Sequence, residues 1–371
     1  MDIGKTMKKI NVTQSLLPKL EDYVKEIETI WDSHHLTSKG SKHQELEAKL
    51  KDFLNVQNAS LFANGHLALE AALEAYQLHG EIITTAFTFP STAHAIIRAG
   101  CIPVFADIKR DDFTLDPASI EKLITNRTVA IMPVHVLGQV CDVYAIESIA
   151  QKYNLKVIYD AAHVFGVEID HKGVGQFGDV SMFSMNATKV FNTIEGGLLT
   201  YNDLSLTKQF ELIKYYGMES AESIIYPGSN LKMNEFQAAM GLCNLVLVNE
   251  EIKRRGMVVK TYLAELSRIE GIECPIYKDN IKYNYAYFPI LVTSKINRDE
   301  MYQKLQENGI NVRKYFYPLV TDFECYRNQY SADLPISKFV SDCVICLPLY
   351  GELTQDEVKY IISTIKGLLN E

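Results

Sequence analysis

The chain has 371 residues, enough for one large α/β domain with an added lobe or for two comparable domains. Hydrophobic residues make up 47% and charged residues 22% of the sequence, so wholesale disorder and a fibrous repeat are excluded. The formal net charge of −9 disfavours a broad surface for nucleic acid or anionic membrane, because either partner would be repelled. An anionic ligand therefore needs a small, local basic site.

The start of the chain and the cysteines bear on its location. MDIGKTMKKINVTQ carries lysines without an apolar run behind them, and no later segment reaches ~18 consecutive apolar residues. We therefore expect a cytoplasmic protein with no membrane partner. The seven cysteines are scattered and odd in number, which favours reduced thiols. Cys343 and Cys346 form a CxxC within the apolar run CVICLPLY, so we predict a buried strand there rather than a redox or zinc site.

The first 50 residues are polar and helix-prone. Their three histidines, His34, His35 and His43, lack a carboxylate partner at metal-ligand spacing. We therefore predict a solvated helical segment that holds no metal.

From about residue 55 the sequence alternates short β-rich runs with helical patterns, which predicts a mainly parallel sheet with helices packed on it. Seven runs predict strands, namely NASLF, EIITT, IPVFADI, VAIMPVHV, KVIYDAA, DVSMFSM and GLLTYND. After residue 205 helical patterns dominate, and YNYAYFPILV and CVICLPL predict strands in the tail. We predict a large domain over residues 1–250, with an N-terminal helical segment, and a small C-terminal α/β domain over residues 251–371.

The strongest chemical signal lies between residues 157 and 197. Asp160 ends the strand KVIYD, and in open α/β sheets ligands bind beyond that edge. Lys189 follows in the loop after DVSMFSM. Pyridoxal phosphate needs a lysine for a Schiff base and an acid that keeps its pyridine nitrogen protonated, because the protonated ring accepts carbanion electrons. Lys189 and Asp160 can fill these roles, although such a pair alone is more often a capping carboxylate and a surface amine.

Five segments carry a specific resemblance, and together with RKYFYPL and CLPLY they extend over nearly the whole chain. The five are FANGHLALEAAL, TTAFTFPSTAHAI with GCIPVFADI after it, VIYDAAHVFG, GDVSMFSMNATKVFNTIEGG and GSNLKMNEFQAAMGL. On them the chain resembles the DegT/DnrJ/StrS family of nucleotide-sugar aminotransferases. The resemblance implies the aspartate-aminotransferase fold (fold type I), pyridoxal phosphate as cofactor, and a homodimer with shared active sites.

Matched by position, the resemblance also implies roles for individual residues. Lys189 forms the Schiff base, Asp160 pairs with the pyridine nitrogen, and His163 lies near the phenolic oxygen of the cofactor. Phe89 stacks on the ring. The phosphate contacts are Ser184, the backbone of Gly65 and His66, and Asn230 reaching in from the neighbouring subunit.

The residues alone support part of this assignment. ANGHLALEAAL predicts a strand, a glycine turn and a helix start, where free backbone amides suit a phosphate. Taken alone, Phe89 is more readily interpreted as core filler, and His163 and Ser184 as ordinary polar residues.

Two positions depart from the family pattern. Family members usually have a hydroxyl residue where His66 stands, so a side-chain hydroxyl bond to the phosphate is absent here. They often have a histidine where Asn186 stands, and this change is expected to shift a contact without removing the reaction. The presence of Lys189 speaks against the related sugar dehydratases, in which a histidine replaces this lysine.

The segment from Gly173 to Gly178 matches the dinucleotide fingerprint GxGxxG. That fingerprint must open a helix, whereas DVSMFSM, which follows, alternates as a strand. We therefore predict a glycine-rich turn instead of a nicotinamide site.

The resemblance implies L-glutamate as amino donor and a nucleotide-linked keto-sugar as acceptor. ATKVFNTIEGG and KMNEFQAAMGL are most similar to members that make dTDP-4-amino-4,6-dideoxyglucose from the 4-keto-6-deoxy sugar, for surface polysaccharides such as the O-antigen of lipopolysaccharide. Arg313, Lys314 and Tyr317 are candidates for binding the diphosphate and the donor carboxylate, although such residues on a lobe surface are more often structural.

Other functions stay open at this point. They are a 3-aminotransferase, a 4-aminotransferase on a UDP- or GDP-sugar, formation of the C4 epimer, a regulatory protein that binds the cofactor, and a sugar oxidoreductase.

Overall fold

The structure, a computed structural model, describes residues 9–330 and 332–370. Within these ranges the chain forms eleven α-helices, which are α1 (Leu20–Ser33), α2 (Ser41–Leu54), α3 (Gly65–Ala75), α4 (Ser91–Arg98), α5 (Pro117–Leu123), α6 (Val143–Tyr153), α7 (Ser205–Lys214), α8 (Glu235–Leu266), α9 (Arg298–Glu307), α10 (Pro335–Cys343) and α11 (Gln355–Asn370). The described strands are β1 (Asn58–Phe62), β2 (Glu81–Thr85), β3 (Ile102–Ala106), β4 (Thr128–Ile131), β5 (Lys156–Asp160), β6 (Glu168–Ile169), β7 (Lys172–Gly173), β8 (Val180–Ser184), β9 (Gly197–Tyr201), β10 (Met218–Ser220), β11 (Ser223–Ile224), β12 (Ile272–Glu273), β13 (Ile281–Lys282), β14 (Phe288–Val292) and β15 (Val344–Leu347).

A seven-stranded sheet with the order β1-β9-β8-β5-β4-β2-β3 forms the centre of the fold. Strand β9 is antiparallel to both of its neighbours, and the other adjacent pairs of this sheet are parallel. Hydrophobic cores lie on both faces of the sheet, which explains why its strands read as continuous apolar runs. The prediction of a mainly parallel seven-stranded sheet is confirmed.

Polar caps determine where two important helices begin. The Asn64 side chain accepts a hydrogen bond from the Leu67 N–H at the start of α3, as expected for an N-cap asparagine. Helix α8 begins with a capping box, in which the Asn234 side chain accepts from the Gln237 N–H and the Gln237 side chain accepts from the Asn234 N–H. The cap at Asn64 starts α3 directly after β1, at the edge of the sheet where ligands bind.

The C-terminal part of the chain builds an α/β lobe. Strands β12, β14 and β15 form an antiparallel sheet, and α9 packs on it. The first half of α8 contributes Ala238 and Leu242 to the core of the large sheet, whereas its second half contributes Val258 and Tyr262 to the core of the lobe. The predicted boundary at residue 250 falls inside α8 and stays a prediction.

The glycine-rich segment and the CxxC motif adopt structures that bear on their predictions. The segment from Gly173 to Gly178 contains the end of β7 and a 3-10 turn at Val174–Gln176, and β8 follows. No α-helix opens there, so the dinucleotide interpretation is excluded. In the CxxC, Cys343 ends α10 and Cys346 lies in β15, so only the second cysteine is in the predicted buried strand. Both cysteines are free thiols.

The prediction of a solvated surface is wrong for His43. It is 5% exposed, because it lies on the face of α2 that packs towards α8. The backbone N–H of His43 donates to the Glu235 carboxylate at 3.0 Å. Burial lowers the pKa of His43 to about 4, so the ring is neutral in the interior. His34 and His35 are exposed, and residues 1–8 of this predicted segment lie outside the described residues. In the described part of the chain no three His, Cys, Asp or Glu side chains are grouped to hold a metal ion.

None of the helices in the described part of the chain is long and apolar enough to cross a membrane.

Candidate active site

A cleft of about 400 Å³ opens where the parallel strands end. Asp160 ends β5, Ser184 ends β8, and Lys189 lies in the loop after β8. Because the carboxyl ends of parallel strands share one edge of the sheet, residues far apart in sequence meet there. The predicted site residues that line the cleft are Gly65, His66, Phe89, Asp160, His163, Ser184, Lys189 and Arg313.

Asp160 is buried and both of its carboxylate oxygens accept hydrogen bonds. The Thr92 hydroxyl donates to Oδ2 at 2.7 Å, and the Ala162 N–H donates to Oδ1 at 3.1 Å. Burial raises the pKa of Asp160, whereas the two hydrogen bonds and the nearby Lys189 amine favour its charged form. The carboxylate therefore has a fixed direction and can hold a proton on a ligand atom.

Lys189 lies in a turn, in which its N–H donates to the Asn186 carbonyl oxygen at 2.9 Å. Burial lowers the pKa of Lys189 to about 8, and the Asp160 carboxylate opposes this shift. An amine with such a pKa is partly uncharged near neutral pH. It can therefore act as a nucleophile and as a base.

His163 is held as a neutral hydrogen-bond donor. Its Nδ1 accepts a hydrogen bond from the Leu137 N–H at 3.1 Å. Burial, followed by the Lys189 charge, lowers the pKa of His163 well below its usual value. A neutral ring with Nδ1 as acceptor carries its proton on Nε2, which is the form needed to donate to an oxygen such as the cofactor's phenolic oxygen.

The start of α3 provides an anion site. Gly65 and His66 occupy the first two helical positions, whose amides have no acceptor inside the helix. A Cβ at Gly65 would lie 3.0 Å from Met182 Sδ and 3.2 Å from Ser184 Cβ, so a glycine is needed for the helix start to approach the end of β8. The His66 Nε2 is 3.0 Å from Glu70 Oε1, so the side chain is engaged with Glu70. A phosphate contact from the His66 backbone amide stays a prediction.

Phe89 is 56% exposed and lines the cleft. The interpretation of Phe89 as core filler is therefore wrong. An exposed aromatic face at this point is available to a planar ligand, and stacking on the cofactor ring stays a prediction.

Asn186 and Glu195 form a polar pair at the cleft. The Asn186 side-chain amide donates to Glu195 Oε1 at 2.7 Å, while its Oδ1 accepts from the Thr188 N–H at 3.1 Å and from the Thr188 hydroxyl at 2.9 Å. Both ends of the Asn186 amide are thus engaged, so Asn186 fixes the orientation of the exposed Glu195 carboxylate.

Of the three residues expected to bind substrate anions, the structure brings only Arg313 to the cleft. Lys314 lies outside it and pairs with Asp299 at 2.6 Å. Tyr317 also lies outside, with its ring 4.3 Å from the Arg298 guanidinium. The grouping of the three is therefore corrected. Arg313 pairs with Cys346 in a β-bridge, and the next side chain, Lys314, points the other way because neighbouring side chains in extended backbone alternate. Tyr317 follows a turn at residues 315 and 316, and its ring lies beside Arg298.

Asn230 is exposed and does not line the cleft of its own chain. It pairs with Tyr215 in an antiparallel bridge, beside the short hairpin of β10 and β11. A contact with the phosphate would have to come from another subunit, as the resemblance implies, and this role stays a prediction.

Several residues of the cleft were not identified from the sequence. They are Thr92, which holds Asp160 without lining the cleft itself, and the lining residues Glu195, Tyr287, Tyr315 and Phe316. Thr92, Glu195, Tyr315 and Phe316 stand in segments that carry the family resemblance, which is the signal that could have identified them.

The arrangement of these groups fits pyridoxal phosphate. The cleft contains a lysine amine with a lowered pKa, a buried carboxylate, a neutral histidine and free amides at a helix start. These match the aldehyde, the ring nitrogen, the phenolic oxygen and the phosphate of that cofactor. Fold and site together define a cofactor-dependent enzyme of fold type I.

Comparison with known proteins agrees with this class. Residues 19–366 match the DegT/DnrJ/EryC1/StrS aminotransferase family. The chain is 43% identical over 364 residues to a dTDP-4-amino-4,6-dideoxy-D-glucose transaminase of Shigella dysenteriae, covering 97% of this chain and 99% of that protein. It is 40% identical over 367 residues to a transaminase of the same name from Escherichia coli, with coverage of 97% and 99%. The crystal structure of DesI in the presence of its TDP-sugar product aligns with a TM-score of 0.94 at 28% identity, covering 98% of this chain and 94% of DesI.

The chain belongs to the DegT/DnrJ/EryC1/StrS aminotransferase family. The predicted family, fold type, cofactor and enzyme class are thereby confirmed: it is a pyridoxal-phosphate-dependent aminotransferase.

Proposed function

We propose that this enzyme transfers the amino group of L-glutamate to C4 of dTDP-4-keto-6-deoxy-D-glucose, giving dTDP-4-amino-4,6-dideoxyglucose. The observation that carries the substrate assignment is the 43% identity, over almost the full length of both chains, to a transaminase named for this product. Support for the reaction comes from the cleft that combines Lys189 with Asp160.

The chain's own residues account for the proton transfers. When bound, pyridoxal phosphate supplies an electron sink for the carbon that loses or gains a proton. Lys189 serves as the base that takes this proton and later returns it, because burial lowers the pKa of its amine to about 8. Asp160 holds a proton at the ring nitrogen, and His163 donates to the phenolic oxygen from Nε2.

The exposed end of the cleft suits the sugar and the anionic groups. Arg313 is the cation at this end, and a guanidinium can bind a carboxylate or a phosphate through two hydrogen bonds. The Glu195 carboxylate accepts hydrogen bonds and carries a negative charge. We therefore assign Glu195 to hydroxyl groups of the sugar, because it would repel the two carboxylates of glutamate.

We propose a homodimer with shared sites. Asn230 is exposed and does not line its own cleft, and the neighbouring hairpin exposes Met218 and Ile224. Apolar side chains on a short two-stranded hairpin are expected to be covered in the functional assembly. We propose the cytoplasm as the location and surface polysaccharide, including O-antigen, as the destination of the amino sugar.

The test is an absorbance experiment on the purified protein with pyridoxal phosphate. Glutamate should remove the visible band of the lysine-bound cofactor, and dTDP-4-keto-6-deoxyglucose should restore it. Recovery only with a 3-keto sugar, or only with a UDP- or GDP-linked sugar, would reassign the substrate. A cofactor-binding regulator would show the band without turnover, and absence of any band would contradict the proposal.

A further inference from the structure

Two threonine hydroxyls form a chain of hydrogen bonds that ends on the Asp160 carboxylate. The Thr92 hydroxyl is 2.7 Å from Asp160 Oδ2, and the Thr88 hydroxyl is 3.0 Å from the Thr92 hydroxyl. Thr92 is 0% exposed, and Thr88, which lines the cleft, is 3% exposed. Water therefore does not compete for these hydrogen bonds.

The direction of the hydrogen bonds follows from the chemistry of the groups. An ionised carboxylate only accepts hydrogen bonds, so Thr92 uses its single hydroxyl proton on Asp160. The Thr92 oxygen is then an acceptor, and Thr88 must be its donor. Together with the Ala162 N–H on Oδ1 at 3.1 Å, this arrangement fixes both oxygens of Asp160.

Asp160 needs such partners because its charge is costly where it lies. Burial raises the pKa of Asp160, which favours the protonated acid. The titratable or charged side chains that line the cleft with Asp160 are His66, His163, Lys189, Glu195, Tyr287, Arg313 and Tyr315. Of these, only Lys189 shifts the pKa of Asp160, and neither Lys189 nor His163 can replace the hydroxyls. Burial keeps His163 neutral, and Lys189 loses its separate ammonium charge when it reacts with the cofactor. Hydroxyl donors, in contrast, persist throughout the reaction.

We propose that Thr92, supported by Thr88, is a positioning residue that keeps Asp160 ionised and directed at the ring nitrogen of the cofactor. This inference rests on the role proposed for Asp160. Losing the hydrogen bond from Thr92 destabilises the charged form of the buried carboxylate and makes it more basic, so the ring proton would shift from the ring nitrogen to Asp160. With less positive charge on the ring, the nitrogen that joins Lys189 to the cofactor keeps its proton to higher pH.

The experiment compares the full-length wild type with Thr92→Val, Thr92→Ser and Thr200→Val. Thr200 is a matched control, because it is also fully buried and its hydroxyl donates to the Gly175 carbonyl oxygen at 2.8 Å. Two quantities are measured: the affinity of the cofactor-free protein for pyridoxal phosphate, and the pH midpoint of the visible absorbance band. Neither requires catalytic turnover.

We expect Thr92→Val to weaken cofactor binding roughly tenfold or more and to move the pH midpoint upward. Thr92→Ser, which keeps the hydroxyl, should restore both quantities, and Thr200→Val should leave both at the wild-type values. Thr88→Val removes only the donor behind Thr92, so we expect a loss of affinity of about threefold in the same direction. It also provides the test if Thr92→Val does not fold.

Unchanged affinity and midpoint in Thr92→Val would overturn the inference, and so would unchanged values in Thr88→Val where Thr92→Val does not fold. Equal shifts in Thr200→Val would also overturn it, because they would assign the effect to general loss of a buried hydrogen bond. A wild type that forms no visible band would contradict the proposed function instead, so the two failures can be distinguished.

Discussion

The two ends of the cleft differ in how far their side chains are buried. At the cofactor end, Asp160 and His163 are buried, and each has hydrogen-bond partners from its own chain. At the substrate end, Glu195 and Arg313 are exposed. The groups proposed to move protons are thus buried and held by hydrogen bonds, whereas the groups proposed to bind the sugar nucleotide lie on an exposed surface.

The largest loss of activity is expected from replacing Lys189, at the cofactor end of the cleft. Lys189→Ala should lower transamination roughly 1,000-fold or more, because the base and the attachment point are lost together. The assay is amino-sugar formation under saturating cofactor, with circular dichroism to verify the fold. Lys156→Ala is the control, since Lys156 pairs with Asp179 at the other end of β5. A Lys189→Ala variant with wild-type turnover would contradict the assignment.

Asp160→Asn should lower turnover about 100-fold and weaken cofactor binding, because an amide cannot stabilise a protonated ring nitrogen as a carboxylate does. Turnover and equilibrium binding of pyridoxal phosphate measure the two effects. Asp179→Asn is the matched control: it also changes a carboxylate that accepts a backbone hydrogen bond, from Val157, but lies away from the cleft. Equal losses in the two variants would remove Asp160 from the chemistry.

Glu195→Gln sharpens the distinction between the two ends. We expect the KM for the keto-sugar to rise about tenfold, while the half-reaction with glutamate keeps its rate. Stopped-flow absorbance separates the half-reactions, and Glu121→Gln, at an exposed ion pair with Lys152, is the control. Equal slowing of both half-reactions would show that Glu195 does not select the sugar.

The smallest effect is a pH dependence at the cofactor end. The pKa of Lys189 is lowered to about 8, and only the uncharged amine attacks the cofactor aldehyde. Above its pKa the amine is uncharged, so the rate of cofactor capture should rise with pH through about 8 and then level off. A rate that keeps rising past pH 10, as for an ordinary lysine, would show that burial does not lower this pKa.

Parts of the fold and of the site could be predicted from the sequence, and other parts could not. The seven strands were predictable because helices bury both faces of the sheet, which gives long apolar runs. Lys189, Asp160 and Gly65 were identified because their roles require one residue type at one place relative to a strand or helix. The assigned roles of the individual site residues stay predictions.

Side-chain direction and burial were harder to predict. Lys314 and Tyr317 were grouped with Arg313, yet of the three only Arg313 lines the cleft. Lys314 is its neighbour in extended backbone and points the other way, and Tyr317 lies beyond a turn. His43 was expected at the surface, but packing of α2 towards α8 buries it. Thr92 became visible only once the fold brought its hydroxyl to Asp160, because an isolated threonine carries no signal of its partner.

The central claim is that Lys189 holds the cofactor, and borohydride reduction followed by peptide mapping tests it most directly. Reduction fixes pyridoxal phosphate to whichever lysine carries it, and mass spectrometry then identifies that residue among the chain's lysines. We predict one labelled peptide, modified at Lys189 and lost when the protein is first treated with glutamate. Label on another lysine, or no label on a protein that shows the visible band, would contradict the claim.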